Sequence, residues 1–130
     1  MIFLDTQLWL WRVINSPKLK PRDRELIEAH TDDGLGVSEI SAWEIAKMHG
    51  FGKLGMDQPT DEWLATAMAY PGIQLLPLTL IILVEATQLP DGVRSDPGDV
   101  MIVATSRVLG IPLLTADEKL LNYAHVTTLT

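Results

Sequence analysis

Four carboxylates in this 130-residue sequence stand where a parallel sheet would present them together. Asp5 directly follows the apolar run Ile2-Phe3-Leu4, and Asp117 comes three residues after a second apolar run. Asp99 lies near the start of a helical segment, and Glu44 interrupts the apolar face of another. Mg²⁺ and Mn²⁺ prefer oxygen ligands and keep several waters, so a few carboxylates are enough to bind one. These residue types therefore point to metal-assisted hydrolysis of a phosphodiester bond.

Three of these carboxylates also fit ordinary roles at helix N-termini. Asp5 is a suitable cap for the helix that follows it. Asp99 occupies the third position of a helix that Asp96-Pro97 opens, where a carboxylate is favoured by the helix dipole. Asp117 lies inside the capping-box pattern Thr115-Ala116-Asp117-Glu118. Taken singly, these three residues require no chemistry.

Glu44 is harder to explain by helix capping. If Ser38 caps its helix, Glu44 shares one face with Ile40 and Met48, and a half-buried carboxylate there needs a cation or a donor. The capping-box pattern Ser41-Ala42-Trp43-Glu44 allows the alternative that the helix starts three residues later.

The elements that would position these residues alternate between short apolar runs and longer segments of helical period. Strands are expected at residues 2–4, 35–37, 73–76, 111–114 and 126–129. Helices are expected at residues 6–14, 21–30, 39–50, after a Thr60 cap to 70, at 78–87 and 97–109, and after a Thr115 cap. Such alternation predicts a parallel sheet covered by helices, with a ligand site at the carboxyl ends of the strands.

Length and composition set the outer bounds. We expect a single domain over residues 1–130, without disulfides or cysteine-based zinc sites, because the sequence contains no cysteine. No signal peptide or membrane span is expected, which favours a cytoplasmic protein. The net charge of −7 argues against the basic surface that is usual in nucleic-acid binding.

Several segments occur together in an order that is specific to one family. They are Phe3-Leu4-Asp5-Thr6, Val37-Ser38, Ser41-Ala42-Trp43-Glu44-Ile45-Ala46, Gly52-Lys53-Leu54, Leu89-Pro90, Asp96-Pro97-Gly98-Asp99, Ile102-Val103-Ala104-Thr105 and Leu114-Thr115-Ala116-Asp117. In this order and at these separations, they resemble the PIN-domain ribonuclease toxins of the VapC type across almost the whole chain.

The resemblance implies a fold, an activity and partners. The fold would be a PIN-domain-like three-layer α/β/α sandwich with a central, mostly parallel sheet of four to five strands. The activity would be that of a Mg²⁺- or Mn²⁺-dependent endoribonuclease toxin of a type II toxin–antitoxin system. A VapB-like antitoxin would neutralise it, and the toxin would form a homodimer.

The resemblance also assigns residues to the site. Asp5, Glu44, Asp99 and Asp117 match the family's catalytic and metal-binding acids. Accessory roles near them fall to three residues: Asp96, Thr6 and Thr115. Asp96 could be either a further carboxylate of the site or only a helix cap.

The sequence departs from the family where an aromatic and a basic residue are usual. The common segment Asp-Pro-Phe-Asp-Arg is here Asp96-Pro97-Gly98-Asp99-Val100. Three basic residues, Lys47, Lys53 and Arg94, are candidates for RNA binding, although charged runs are usually solvated faces.

The tryptophans are expected to divide between the core and the surface. Trp43 and one of Trp9 and Trp11 are expected in the core, which leaves the other free to contact an antitoxin helix.

Two other protein classes stay open as alternatives: a phosphoacceptor signalling module and a non-catalytic protein-interaction domain. Metal-dependent RNA cleavage distinguishes the ribonuclease from both.

Overall fold

Four short parallel strands form the sheet at the centre of the protein, in a computed structural model that describes residues 1–50, 58–92 and 96–129. The strands are β1 (Ile2–Leu4), β2 (Leu35–Ser38), β3 (Ile73–Leu76) and β4 (Leu113–Leu114). Their spatial order is β3-β2-β1-β4, and every neighbouring pair is parallel. The central position of β1 places Asp5, which follows it, in the middle of the sheet's carboxyl edge.

Seven described helices connect and cover the strands. They are α1 (Thr6–Val13), α2 (Pro21–Ala29), α3 (Glu39–Gly50), α4 (Thr60–Met68), α5 (Leu80–Ala86), α6 (Pro97–Leu109) and α7 (Glu118–Leu121). Among the described residues, no helix combines the length and the apolar content that crossing a bilayer requires.

Alternation along β1 divides the core between the two faces of the sheet. Ile2 and Leu4 belong to a buried cluster with side chains of α1 to α4, whereas Phe3 belongs to a second cluster with α6 and α7. Successive side chains of a strand point to opposite faces, so each face is covered by its own helices. This arrangement is the predicted three-layer α/β/α fold, with four strands.

The last two predicted strands are shorter than expected. The segment at 111–114 is reduced to β4, because Pro112 has no N–H to donate to a ladder. The segment at 126–129 is a single bridge between Thr128 and Leu113 rather than a strand. Two backbone hydrogen bonds of 2.9 Å, from Leu113 N to Thr127 O and from Leu129 N to Leu113 O, hold that bridge.

Three predictions about helix starts and one about the core are corrected. The helix at α3 begins at Glu39, and Ser38 Oγ accepts a 3.1 Å bond from Ile40 N, so the later start at Ser41 is wrong. Thr60 is the first residue of α4 rather than its cap, and Asp117 rather than Thr115 caps α7. Trp43 is 57% exposed instead of buried, whereas Trp9 is fully buried as predicted.

Candidate active site

The predicted acids converge on one open cleft of about 490 Å³ at the carboxyl edge of the sheet. Five carboxylates line it: Asp5, Glu44, Asp96, Asp99 and Asp117. They come from the end of β1, from α3, from the start of α6 and from the segment after β4. Residues up to 112 positions apart in sequence, from Asp5 to Asp117, therefore share one site because parallel strands end at the same edge.

Asp5 is the most buried of these carboxylates, with 7% of the residue exposed. Its Oδ1 accepts a 2.8 Å hydrogen bond from Leu8 N, as a helix cap does, and its Oδ2 accepts a hydrogen bond from the Thr115 hydroxyl. Burial raises the pKa of Asp5 from 3.8 to about 6; these hydrogen bonds oppose the rise, and the charges of Asp99 and Asp117 add to it. Asp5 thus caps α1 and also lines the cleft.

A chain of hydroxyl groups orients Glu44. The Thr6 hydroxyl donates to Glu44 Oε1 at 2.9 Å and lies 2.7 Å from the Ser41 hydroxyl. Because a hydroxyl carries one hydrogen, Thr6 must accept the bond from Ser41. Burial is the main cause that raises the pKa of Glu44, and the charges of Asp96 and Asp99 add to it. Thr6 therefore lies at the cleft and holds one oxygen of Glu44.

Gly98 leaves the space that the Glu44 carboxylate occupies. A Cβ added at Gly98 would lie 2.7 Å from Glu44 Cδ and 2.8 Å from Oε1, closer than carbon atoms and oxygen atoms normally approach. The absence of a side chain at Gly98 thus allows the Glu44 carboxylate to lie against the first turn of α6.

The remaining acids hold the first turns of two helices. Asp96 caps α6 by accepting a 2.9 Å bond from Asp99 N. Asp117 caps α7 with a 2.9 Å bond from Lys119 N, and its own N–H donates to the Thr115 hydroxyl at 3.0 Å. The Thr115 hydroxyl therefore bridges Asp117 to Asp5. Asp96 is a cap and also lines the cleft.

Two lysines stand at the rim of the acidic cleft. Lys47 from α3 was predicted, and Lys119 from α7 was not. Lys119 was missed because its place in the site depends on where α7 begins. The other two basic candidates, Lys53 and Arg94, lie outside the described residues, as does the segment Gly52-Lys53-Leu54.

The donor chemistry of the cleft suits a hard divalent ion. Mg²⁺ and Mn²⁺ take carboxylate oxygens and retain waters, and five carboxylates with a buried Asp5 leave negative charge that a cation would neutralise. In residues 1–50, 58–92 and 96–129, no three acidic or histidine side chains lie close enough together to bind one ion as they stand. An ion here would thus depend on water for part of its coordination.

Comparison with known families decides what kind of domain carries this cleft. The family model for the PIN domain matches residues 2–126. The chain belongs to the PIN-domain family. This confirms the family and the fold class that the sequence motifs predicted. A search of curated proteins found no match.

Solved structures with the same PIN fold are toxins and toxin–antitoxin complexes. VapBC2 from Rickettsia felis, bound to a DNA fragment from its promoter, is 13% identical with a TM-score of 0.73, covering 99% of this chain and 98% of that chain. DNA-bound VapBC from Salmonella typhimurium is 18% identical with a TM-score of 0.73, covering 99% and 98%. VapC20 from Mycobacterium tuberculosis, a sarcin-ricin loop cleaving toxin, is 15% identical with a TM-score of 0.59, covering 98% and 99%.

Proposed function

We propose that this PIN domain is a Mg²⁺- or Mn²⁺-dependent endoribonuclease, the toxin of a type II toxin–antitoxin system. The observation that carries the proposal is the convergence of Asp5, Glu44, Asp99 and Asp117 on one cleft. Membership of the PIN family and the likeness to VapBC complexes and to VapC20 support the same conclusion.

Among the described residues of the cleft, the five carboxylates outnumber the two lysines. Five carboxylates face Lys47 and Lys119, and Asp5 is buried beside two further acids. A buried carboxylate is costly unless a cation or hydrogen bonds compensate it. Asp5, Glu44, Asp99 and Asp117 would hold a divalent ion that compensates this charge, and such an ion would supply a Lewis acid for the phosphate and its attacking water.

The residues of the cleft divide the remaining work. Thr115 and Leu8 N–H fix both oxygens of Asp5, and Thr6 fixes one oxygen of Glu44, so these ligands are held before an ion arrives. Asp99, in the first turn of α6, and Asp117, the N-cap of α7, supply the other two carboxylates. Lys47 and Lys119 would contact backbone phosphates of RNA on either side of the acids.

A VapB-like antitoxin is the proposed protein partner. Trp11 lines the cleft and is partly exposed, whereas Trp9 is buried, so Trp11 is the tryptophan that an antitoxin segment would contact. A segment lying there would cover the site and block RNA. The proposed RNA substrate also implies a cytoplasmic location.

A homodimer is proposed from a second surface, which we call the α5 face. Leu80, Ile81, Leu83 and Val84 are 77%, 70%, 37% and 48% exposed on this one helix. The neighbouring strand β3 is an edge strand of the sheet. A contiguous apolar surface of this kind is typical of a protein interface, and a second copy of the chain would cover it.

The activity can be tested with the purified, antitoxin-free chain and labelled RNA. We expect cleavage with Mg²⁺ or Mn²⁺ and none with EDTA. Asp5→Asn should lower the rate by about 10³-fold or more, since several kcal/mol of charge stabilisation depend on the ion. Asp23→Asn is the matched control, because Asp23 is also buried but does not line the cleft.

Two results would contradict the proposal. One is cleavage by Asp5→Asn at the rate of the unmodified chain, and the other is cleavage that EDTA leaves unchanged. A chain that binds an antitoxin but cleaves no RNA under any metal condition would favour the non-catalytic interaction domain.

A further inference from the structure

Trp43 is the exposed member of the four tryptophans, and it directly precedes Glu44 on α3. Trp9 and Trp63 are buried, Trp11 is intermediate, and Trp43 is 57% exposed. The Lys47 ammonium lies 4.4 Å from the centroid of the Trp43 ring, one helical turn away. Lys47 also lines the acidic cleft, so the indole stands beside the site through this lysine.

The surroundings of Trp43 differ from those of an apolar docking surface. The exposed residues of α3 are Glu39, Trp43, Lys47 and Gly50, spaced so that they form one stripe along the helix. The residues one turn before and one turn after the indole are thus charged. A protein partner that buries apolar area needs several adjacent apolar side chains, as on the α5 face, and this stripe has one.

A single aromatic ring with an adjacent cation suits single-stranded nucleic acid. Bases stack on exposed aromatic rings whatever their sequence, and a nearby ammonium attracts the phosphate. We propose that Trp43 and Lys47 form a binding site for an unpaired nucleotide of the substrate RNA, in which the base stacks on the indole in place of the Lys47 ammonium and the ammonium moves to the phosphate. This inference rests on the proposed function and names the form of RNA, single-stranded, that the site would take.

The binding test uses Asp5→Asn protein, so that the RNA stays intact, in buffer with Mg²⁺. The probes are a labelled single-stranded adenosine dodecamer and a dodecamer of the same backbone with every base removed. Trp43→Leu should weaken binding of the base-bearing probe about tenfold, or about 1.4 kcal/mol, and leave binding of the abasic probe within twofold. Trp43→Phe keeps an aromatic face and should restore binding to within about threefold.

Lys47→Met separates the phosphate contact from stacking. It should weaken both probes equally and reduce the dependence of log affinity on log salt by about one. Because Trp43 is exposed, these variants should unfold at the same temperature as the parent, which circular dichroism checks.

Two results overturn the inference. Equal weakening of both probes by Trp43→Leu would exclude stacking, and unchanged RNA binding with lost binding of the co-expressed antitoxin would assign Trp43 to the protein partner. The proposed function fails separately, if the unmodified chain does not cleave RNA with Mg²⁺ or Mn²⁺, because the probes report binding alone.

Discussion

The acidic cleft and the α5 face depart from normal burial in opposite directions. In the cleft, Asp5 is a buried carboxylate whose pKa is raised to about 6. On the α5 face, Leu80 and Ile81 are more than two-thirds exposed. In the cleft a carboxylate is shielded from water, whereas on the α5 face apolar side chains are exposed to it.

The two regions therefore need partners of different chemistry. Asp5 and Glu44 are already oriented by hydroxyl and backbone donors, and five carboxylates against two lysines leave an excess of negative charge among the described residues of the cleft. The α5 face needs only a surface that covers it, because burying apolar area against any well-fitting apolar surface is favourable. In the proposed function, a divalent ion would neutralise the cleft and a second protein surface would cover the α5 face.

The largest effect is expected on the α5 face. Ile81→Glu should convert a dimer to a monomer, because a charge left unpaired in an apolar interface costs about 3–5 kcal/mol, which raises Kd at least about 10²-fold. Sedimentation or light scattering measures the change. Leu121→Glu is the control, since Leu121 is 38% exposed on a different helix, α7, and this variant should stay dimeric. A dimer that survives Ile81→Glu would remove the α5 face from the interface.

The second effect is a pH dependence of stability that originates at Asp5. Its pKa is raised from 3.8 to about 6 in the folded chain, so the folded state holds this proton more tightly than the unfolded state. The stabilisation is fully present below about pH 4 and is lost as pH rises through 6, amounting to about 3 kcal/mol.

Urea unfolding in EDTA at pH 4 and pH 7 measures this loss against Asp5→Asn, which does not titrate. The free energy of unfolding of the parent should fall relative to the variant between the two pH values. Mg²⁺ at pH 7 should return part of it, because an ion bound only to the folded state stabilises it. If the parent and Asp5→Asn differ in free energy of unfolding by the same amount at both pH values, burial does not raise the pKa of Asp5.

The smallest effect is expected at Gly98. Gly98→Ala places a methyl group against the Glu44 carboxylate, which must move and weaken its bond from Thr6. The expected loss is about 1 kcal/mol, or roughly fivefold in cleavage rate. Gly50→Ala on α3 is the matched control, because no atom lies within 4 Å of a Cβ added there. Full activity of Gly98→Ala would show that the position of Glu44 is not critical.

Features of the fold that depend on nearby residues were predictable from the sequence. The helix α6 starts with the Asp96 cap and Pro97 and ends at Gly110, whose φ of 64° is a left-handed conformation that suits glycine. Each of these signals lies within a few residues of the element it controls. The position of Asp5 was equally predictable, because Asp5 directly follows strand β1.

Features that depend on distant residues were decided by the tertiary structure. The Thr115 hydroxyl donates to Asp5, 110 positions away, and Asp117 caps α7. The exposure of Trp43 and the meeting of Glu44 with Gly98 depend on how α3 lies against α6. The sequence by itself therefore determined which acids could form the site. Packing between distant segments determined which neighbours hold each acid, because those contacts join residues that are far apart in the sequence.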